Sequence, residues 1–411
     1  MTLPEQDTLN TLVGRIFRID DVTLGKGGTE YLYRYRGTLT AEDSAAAYDQ
    51  LAEGLHSYGL TPLFRKDDDG RHLILLVAAP PVPKPSGSRK SIILFVLTVF
   101  SVLIVGIQIP ADVQIPNDAL GQLGLIARYI FTGWPYAVSL LAILLAHEFG
   151  HYFAGRYHKV ALSLPYFIPL PLPGGIGTMG AIIRMQEQPK NKRILLDIGI
   201  AGPLAGLVVA IPVLLIGLSQ SHIGPIPNTP GSFIEGNSLV YLFAKFIVFG
   251  KLLPAPASYG ALPPFLYWLS NYFTGLPAPI GGTDVQISTV AWAGWVGLLV
   301  TSLNLIPAGQ LDGGHLMYVL FGGKRLRSWL PITKVILGIL GIFSVSWWLW
   351  LAILSFFGRY TDEPRDQITE LGPARRALAI FGVIVFFLVF IPAPIPFTIF
   401  DLFNQIMSLF K

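Results

Sequence analysis

Cysteine is absent from this chain of 411 residues, and three kinds of chemistry are excluded with it. The protein has no disulfide bond, no thiolate ligand for a metal ion and no cysteine nucleophile. Any metal ion that it binds must therefore be held by nitrogen and oxygen atoms of histidine, aspartate or glutamate.

Charged residues are scarce as well. They make up 13% of the chain, whereas an ordinary soluble domain has about 25%. Hydrophobic residues reach 52%, the mean hydropathy is +0.56, and several apolar runs approach the roughly 20 residues that cross a bilayer. The composition therefore predicts a polytopic α-helical membrane protein rather than a soluble enzyme.

A recognisable targeting leader is also missing from the beginning of this sequence. The first residues, MTLPEQDTLN, have neither the basic region and apolar core of a secretory signal nor the acid-poor character of an organelle transit peptide. We therefore expect a multi-pass protein of a prokaryotic cell (inner) membrane. The net charge of +4 does not predict binding to nucleic acid, because the lysines and arginines fall mostly at the ends of apolar runs, where they set orientation.

Composition divides the chain into three parts. Residues 1–79 are predicted to form a small soluble α+β domain, residues 80–90 a Pro-rich linker, and residues 91–411 the transmembrane domain. The linker ends in Arg89 and Lys90, directly before the first apolar run. Since positive residues stay on the cytoplasmic side of a span, the N-terminal domain is expected in the cytoplasm.

The N-terminal domain shows both strand and helix patterns. A helix is predicted with Thr40 as its N-cap and Asp43 three residues later. Four strands are predicted in two pairs, at residues 15–24, 31–39, 61–66 and 72–78. His56 and His72 are isolated, so we expect no catalytic group in this domain.

About six transmembrane helices are predicted in the rest of the chain, with re-entrant elements between them. The apolar runs lie at residues 91–109, 131–153, 194–218, 287–306, 331–357 and 376–391. The run at 331–357 is long enough to form a bent hairpin, so the number of spans after residue 330 stays open. Proline and glycine in residues 162–185 forbid a regular helix and predict a hairpin or re-entrant element beside the active helix. Residues 219–286 are predicted to form an outer region with interfacial or re-entrant patches.

Three ionisable residues interrupt the apolar run LLAILLAHEFGHY at residues 140–152, namely His147, Glu148 and His151. Each such group at membrane depth costs roughly 3 kcal/mol unless it is paired or bound. On a helix, two histidines four residues apart share one face and can reach one ion, and the glutamate can take a proton from metal-activated water. The alternative is that the three side chains merely extend to the interface at the helix end.

A catalytic zinc site needs three protein ligands and one open position. Asp312, just after the inner end of the fourth predicted span, is the expected third ligand, and the glycine after it allows close approach of the backbone. His315 is a competing ligand, although a supporting or surface role is favoured for it. The alternative for Asp312 is an N-cap or loop carboxylate.

Two separated motifs carry a family resemblance. HEFGH at residues 147–151 together with NLIPAGQLDG at residues 304–313 resembles the site-2 protease family of intramembrane zinc metalloproteases. GIGTMGA at 175–181 and NKRILLDIGIAGPLAG at 191–206 are similar to the same family, in particular to its cyanobacterial, plastid and archaeal branch. The resemblance covers residues 140–320. The chain departs from other branches in having no PDZ-like insertion and no CBS-like tail.

The resemblance implies specific roles for the ionisable residues. His147, His151 and Asp312 would bind one Zn²⁺ per chain, and Glu148 would act as the general base on zinc-activated water. Asn304 matches the family's asparagine near the active site and is expected to orient the substrate or polarise the scissile carbonyl. The alternative for Asn304 is a hydrogen bond between two helices.

The resemblance also implies a way to hold the substrate. The stretch from Gly177 to Gly180 would belong to an element that presents an extended substrate through backbone hydrogen bonds, as an added strand. This mode suits a transmembrane substrate, because a helix hides its peptide bonds and must unwind before water can attack.

The implied function is an intramembrane zinc endopeptidase that cleaves transmembrane segments of membrane proteins near the cytoplasmic leaflet. Its partners would be those substrates and the lipid bilayer, with no nucleic acid. A metal-ion transporter and a proteolytically inactive membrane scaffold are the alternatives. Transport favours several weak sites along a path, and the spans show no second ligand cluster, since Asp197 stands alone in the sequence. The intact catalytic residue types argue against the scaffold.

Overall fold

We describe the protein from a computed structural model, which covers residues 5–26, 28–67, 69–81, 87–172, 175–226, 234–357 and 363–396. Of the predicted linker, residues 82–86 lie outside the described residues. Two apolar cores are present, one in the N-terminal region and one among the apolar helices.

The N-terminal residues form a four-stranded antiparallel sheet with two helices. The elements are α1 (Gln6–Gly14), β1 (Phe17–Leu24), β2 (Tyr33–Leu39), α2 (Ser44–His56), β3 (Leu60–Lys66) and β4 (His72–Ala78). The strand order is β1-β2-β4-β3, so β1 and β3 are the edge strands. The helices and the sheet share one core, in which Tyr35, Phe64 and Ile74 are completely buried.

Two details of this region differ from the sequence-based expectations. Asp43, not Thr40, is the N-cap of α2, because the Asp43 carboxylate accepts a hydrogen bond from the Ala45 amide at 3.2 Å. Helix α1 was not predicted at all. Only Leu9 and Val13 are buried along it, so its sequence is too short and too polar to display a helical period.

Among the residues that the structure describes, four helical stretches are long and apolar enough to cross a membrane. They are α3 (Ser88–Val105), the continuous stretch formed by α4 (Ala119–Tyr129), a short 3-10 turn and α5 (Trp134–Tyr157), then α6 (Lys192–Ser219), and α11 (Gly323–Phe343). The chain is therefore a membrane protein with a small N-terminal α+β region. The total of about six spans stays a prediction.

Shorter elements complete the membrane region. They are β5 (Tyr166–Leu170), β6 (Gly177–Ile182), β7 (His222–Pro225), α7 (Leu239–Phe249), α8 (Pro264–Thr274), β8 (Thr283–Gln286), α9 (Thr289–Asn304), α10 (Asp312–Phe321), α12 (Ser346–Phe357) and α13 (Pro373–Val389). The stretch predicted to be non-helical, 162–185, contains the antiparallel hairpin of β5 and β6. The predicted outer region contains β7 and β8, which pair with each other, as well as α7 and α8.

Two of the predicted spans look different in the structure. The run at 287–306 forms α9, which has 16 residues and is shorter than the roughly 20 that a full crossing needs. The run at 331–357 is divided between α11 and α12. The division lies at Ser344, whose backbone is extended and whose hydroxyl donates a hydrogen bond to Ile395 O at 2.7 Å.

Helices α5, α6 and α9 pack so closely that their backbones touch. A Cβ atom added to Gly150 of α5 would lie 2.6 Å from the Ala201 carbonyl oxygen of α6. A Cβ atom added to Gly294 of α9 would lie 2.6 Å from Leu214 Cα of α6. Small residues allow this approach between apolar helices, and the three helices form the frame on which the ionisable side chains are mounted.

Candidate metal centre

Helix α5 presents His147 and His151 on one face, because residues four apart in an α-helix lie one turn above each other. The two Nε2 atoms are 3.3 Å apart. The His147 side chain is only 4% exposed. Two imidazoles thus converge inside the apolar core, as the sequence predicted.

Asp312 is the first residue of α10, and its Oδ2 atom lies 3.4 Å from each histidine Nε2 atom. Within the described part of the chain, these three residues are the one group of three or more ionisable side chains close enough to hold a metal ion. Gly313 makes this position possible, because a Cβ atom there would lie 2.0 Å from the Leu305 carbonyl oxygen. The start of α10 therefore rests directly on the end of α9.

The spacing of the three ligand atoms fits a zinc ion. A tetrahedral ion with bonds of about 2.0–2.1 Å places neighbouring ligand atoms about 3.3 Å apart. The observed separations are 3.3 Å between the imidazoles and 3.4 Å from each imidazole to the carboxylate. Two imidazoles and one carboxylate form one of the donor sets found in catalytic zinc sites.

Helix α6 makes room for both imidazoles. A Cβ atom on Gly202 would lie 2.0 Å from His151 Nε2, and one on Gly206 would lie 3.1 Å from His147 Cβ. The two glycines therefore form the wall against which the two histidines rest.

The orientation of His151 is fixed by α6. Its Nδ1 atom lies 2.8 Å from the Ile198 carbonyl oxygen, to which an Nδ1–H donates. This hydrogen bond selects the tautomer in which the Nε2 lone pair is free, which is the arrangement that a metal-binding histidine needs.

Glu148 and Asn304 lie next to the three ligand atoms. Glu148 follows His147 on α5, and its side chain is only 5% exposed. Asn304 is the last residue of α9, and its Nδ2 atom lies 3.1 Å from His147 Nε2. Asn304 therefore contacts the site itself. Because this contact also joins α9 to α5, the alternative of a hydrogen bond between two helices stays open.

His315, the competing ligand, lies one turn after Asp312 on α10. Its side chain is buried, and it packs where a Cβ atom on Gly199 would lie, at 3.0 Å from His315 Cβ. It is not a member of the group that can hold a metal ion. The geometry favours Asp312 over His315.

The hairpin of β5 and β6 is anchored beside the site. Ser101 of α3 donates a hydrogen bond to Gly177 O at 2.5 Å, and Tyr136 of α5 donates to Ile176 O at 2.8 Å. Gly177 and Gly180 have φ angles of +88° and +92°. A Cβ atom on Gly180 would meet no atom within 4 Å. The residue is nevertheless buried, and its amide and carbonyl both hydrogen-bond the Thr178 hydroxyl, at 3.0 and 3.2 Å.

Asp197 does not stand alone as the sequence suggested. Arg375, the third residue of α13, donates two-point hydrogen bonds to its carboxylate, with distances from 2.8 to 3.2 Å. His158 Nε2, at the end of α5, lies 3.0 Å from Asp197 Oδ2. Sequence reasoning missed this cluster because its members are far apart in the chain and no local pattern relates them.

Residues 135–345 match the family model described as Peptidase family M50, the family of the site-2 proteases. The match covers His147, Glu148, His151 and Asp312. The chain belongs to peptidase family M50. The resemblance inferred from the HEFGH and LDG motifs is thereby confirmed.

Two of the curated proteins to which the chain is similar are plant proteins. The chain is 31% identical over 319 residues to a rice protein (Oryza sativa subsp. japonica) named "Probable zinc metalloprotease EGY1, chloroplastic". The aligned region covers 74% of this chain and 50% of the rice protein. It is 29% identical over 316 residues to the protein of the same name from Arabidopsis thaliana. That aligned region covers 74% of this chain and 52% of the Arabidopsis protein. This M50 chain spans about half the length of the curated relatives it matches.

Proposed function

We propose that the protein is an intramembrane zinc endopeptidase that cleaves transmembrane segments of membrane proteins near the cytoplasmic leaflet. The observation that carries the proposal is the convergence of His147, His151 and Asp312, at the spacing of zinc ligands, among helices apolar enough to cross a membrane. The relatives are named as zinc metalloproteases. Zinc is therefore the metal proposed for this chain, one ion bound by these three residues.

A bound zinc ion supplies Lewis acidity, which acidifies a water molecule and polarises a peptide carbonyl. The chain supplies the proton transfers. Glu148 is buried beside His147, where bulk water does not compete for its hydrogen bonds. Its carboxylate takes the proton of the attacking water and delivers it to the nitrogen of the departing peptide.

Asn304 takes part once the metal site is filled. A neutral imidazole Nε2 has one lone pair, so His147 Nε2 cannot accept a hydrogen bond from Asn304 and bind a metal ion at the same time. With a metal ion on His147 Nε2, the Asn304 Nδ2 donor, which in the structure lies 3.1 Å from that atom, would be free. It would then donate to the carbonyl oxygen of the scissile bond and stabilise the charge that develops there.

The β5–β6 hairpin presents the substrate. A transmembrane helix must unwind before its peptide bonds can react, and its freed backbone groups then need partners inside the membrane. Addition of the unwound segment to β6 provides those partners. The space beside Gly180, where a Cβ atom would meet no heavy atom within 4 Å, supports this assignment.

The orientation is proposed from the distribution of charge. Arg89 and Lys90 begin α3, and Lys190, Lys192 and Arg193 surround the start of α6. The positive-inside rule assigns these ends to the cytoplasm, together with the N-terminal domain. The proposed location is a cell membrane that the chain crosses several times, with the active site toward the cytoplasm.

The test is a substitution that removes the base and keeps the metal. Glu148→Gln is expected to abolish cleavage of single-span peptides while the zinc content stays near one per chain. Glu53→Gln, the same chemical change at an exposed position of α2, is the matched control and should cleave like the wild-type protein. Cleavage by Glu148→Gln at the wild-type rate would overturn the mechanism. Zinc uptake into proteoliposomes without any proteolysis would instead identify a transporter, and neither activity would identify a scaffold.

A further inference from the structure

A short stretch between α12 and α13, residues 363–370, is here called the bridging segment. It extends the N-terminal sheet at the edge strand β3. The Phe64 amide donates a hydrogen bond to Arg365 O at 2.9 Å, and the Gln367 amide donates to Phe64 O at 3.0 Å. The membrane region thus contributes an extra strand-like segment to the N-terminal domain.

The other edge of the bridging segment pairs with the residues that lead into α6. The Arg365 amide donates to Pro189 O at 3.0 Å, and the Asp366 amide donates to Lys190 O at 2.8 Å. The bridging segment therefore lies between β3 and the start of α6 and is hydrogen-bonded to both.

Side chains strengthen this junction. The Asp366 side chain is completely buried and accepts hydrogen bonds from the Ser44 hydroxyl at 2.8 Å, from the Ile368 amide at 2.8 Å and from Thr369. Ile368 belongs to the apolar core of the N-terminal domain. A buried carboxylate with several donors and a shared core make this a specific junction.

A charged contact also joins the N-terminal domain to α6. The Arg193 guanidinium lies 3.1 Å from the carboxylate of Asp43, the N-cap of α2, and donates to Glu370 O at 3.0 Å. The first turn of α6 is thus held by the N-terminal domain and by the end of the bridging segment.

The contacts continue toward the metal centre through Asp197, which lies one turn further along α6. Arg375, five residues after the bridging segment, donates to the Asp197 carboxylate from Nε and from one terminal guanidinium nitrogen. His158 of α5 lies 3.0 Å from the same carboxylate. The Asp197 side chain of α6 therefore contacts both the start of α13 and the residue that follows α5.

The residue after Asp197 is Ile198, whose carbonyl accepts the hydrogen bond of His151 Nδ1 at 2.8 Å. His158 and His151 are seven residues apart on α5, about 10 Å along the helix axis. A shift of α6 against α5 at Asp197 therefore changes the hydrogen bond between His151 Nδ1 and the Ile198 carbonyl.

Helix α13 also supports the element that carries Asp312. A Cβ atom on Gly382 would lie 2.2 Å from Leu316 Cδ2 of α10 and 3.0 Å from Ile200 Cδ1 of α6. α13 therefore contacts both helices that define the ligand positions opposite α5.

We propose that Asp197 is a positioning residue for His151, and that the N-terminal domain sets its position through the bridging segment and Arg375. The inference rests on the proposed zinc site. The side chains of Arg375 and Asp197 are 40% and 20% exposed, and ion pairs this accessible contribute little to the stability of a fold. The pair is thus assigned to alignment of the ligand rather than to holding the protein together.

The test uses the full chain in detergent and measures zinc affinity by competition with a chelator. Asp197→Asn and Arg375→Gln are each expected to weaken zinc binding about 10-fold, the effect typical of groups that orient a metal-binding histidine. The double variant should bind zinc no more weakly than the single variant with the lower zinc affinity, because both substitutions remove the same contact. With Co²⁺ in place of zinc, the visible absorption spectrum of each variant should differ from that of the wild-type protein. The unfolding temperature of the metal-free variants should equal that of the metal-free wild type.

Two further variants sharpen the comparison. Arg36→Gln breaks an ion pair of 2.6 Å with Asp69 in the N-terminal domain, away from the bridging segment, and should leave zinc affinity unchanged. Arg375→Lys keeps the charge but not the two-point contact and should recover part of the affinity. If Asp197→Asn does not fold, Arg375→Lys takes its place in the test.

The role of the N-terminal domain is tested at the junction. Asp366→Asn should weaken zinc binding in the same direction as Asp197→Asn, although the substitution is remote from the metal centre. Wild-type zinc affinity in Asp197→Asn and Arg375→Gln would overturn the positioning role, and wild-type affinity in Asp366→Asn alone would overturn the role of the N-terminal domain. Failure of the wild-type protein itself to bind zinc would overturn the proposed function together with this inference.

Discussion

Replacement of Gly202 by alanine probes the wall behind the metal-binding histidines. The added methyl group would lie 2.0 Å from His151 Nε2, whereas ordinary van der Waals contact begins at 3.4 Å. The imidazole must therefore move by more than 1 Å. Zinc–nitrogen bonds are about 2.0–2.1 Å long with little tolerance, so a displacement of this size removes one of three ligands.

The expected result for Gly202→Ala is a loss of zinc affinity of at least about 100-fold, the upper end of the effect seen when a ligand's orienting neighbours are changed. Alanine is better than glycine in a helix interior by about 1 kcal/mol. The metal-free variant is therefore expected to be no less thermostable than the wild type unless the displaced ring disturbs the packing. Metal loss is thus separated from unfolding.

Chelator competition on the full chain measures this effect, with thermal unfolding of the metal-free protein beside it. Gly124→Ala in α4 is the matched control, because a Cβ atom there meets nothing within 4 Å. Gly206→Ala should be milder than Gly202→Ala, since its added atom lies 3.1 Å from His147 Cβ. Wild-type zinc affinity in Gly202→Ala would refute the position assigned to His151.

The remaining predictions concern catalysis, substrate presentation and pH. Asn304→Ala should lower kcat about 100-fold, as loss of one donor to a developing oxyanion does, with zinc content unchanged; an unaltered kcat would remove Asn304 from the mechanism. Gly180→Ala, at a φ of +92°, should strain the hairpin by about 1 kcal/mol and raise KM for a membrane substrate without loss of zinc. Burial and the nearby Lys66 lower the pKa of His72, so the folded domain favours the neutral imidazole. The contribution of His72 to the free energy of unfolding is therefore complete above a pH of about 6.5 and is lost as the pH falls below that value. His72→Asn should flatten that loss in thermal unfolding measured against pH.

The proximity of His147, His151 and Asp312 is the feature of the candidate site that the sequence predicted best. His147 and His151 are close because the helix repeat itself brings residues four apart together, and that is local information. Asp312 was found because ionisable residues are rare in apolar segments and few candidates lay at the same depth. The structure brings its carboxylate within 3.4 Å of both imidazoles.

The residues that surround the three side chains could not be predicted in the same way. The contact of Gly202 with His151 depends on how α6 lies against α5, which no local pattern reports. Asp197 was expected to stand alone, yet its partner Arg375 is 178 residues away in the sequence. Such contacts exist only after the helices have packed, and no periodic pattern reports them.

The boundaries of the elements show the same limit on a smaller scale. Thr40 and Asp43 are both good N-cap residues, and only the observed hydrogen bond to Ala45 decides for Asp43. The apolar run at 331–357 is continuous in composition, but it divides at Ser344, where the hydroxyl binds a distant carbonyl. Local sequence cannot distinguish between candidates when a contact from another part of the chain makes the choice.

The central claim is that one zinc ion bound to this chain cleaves a peptide bond inside a membrane. It is tested most directly by incubating the purified protein in proteoliposomes with a single-span peptide, then with a zinc chelator, and then with zinc restored, and locating any cut by mass spectrometry. The account predicts cleavage within the apolar segment near its cytoplasmic end, loss of cleavage with the chelator and recovery with zinc. Cleavage that persists without zinc, or that occurs only outside the apolar segment, would contradict it.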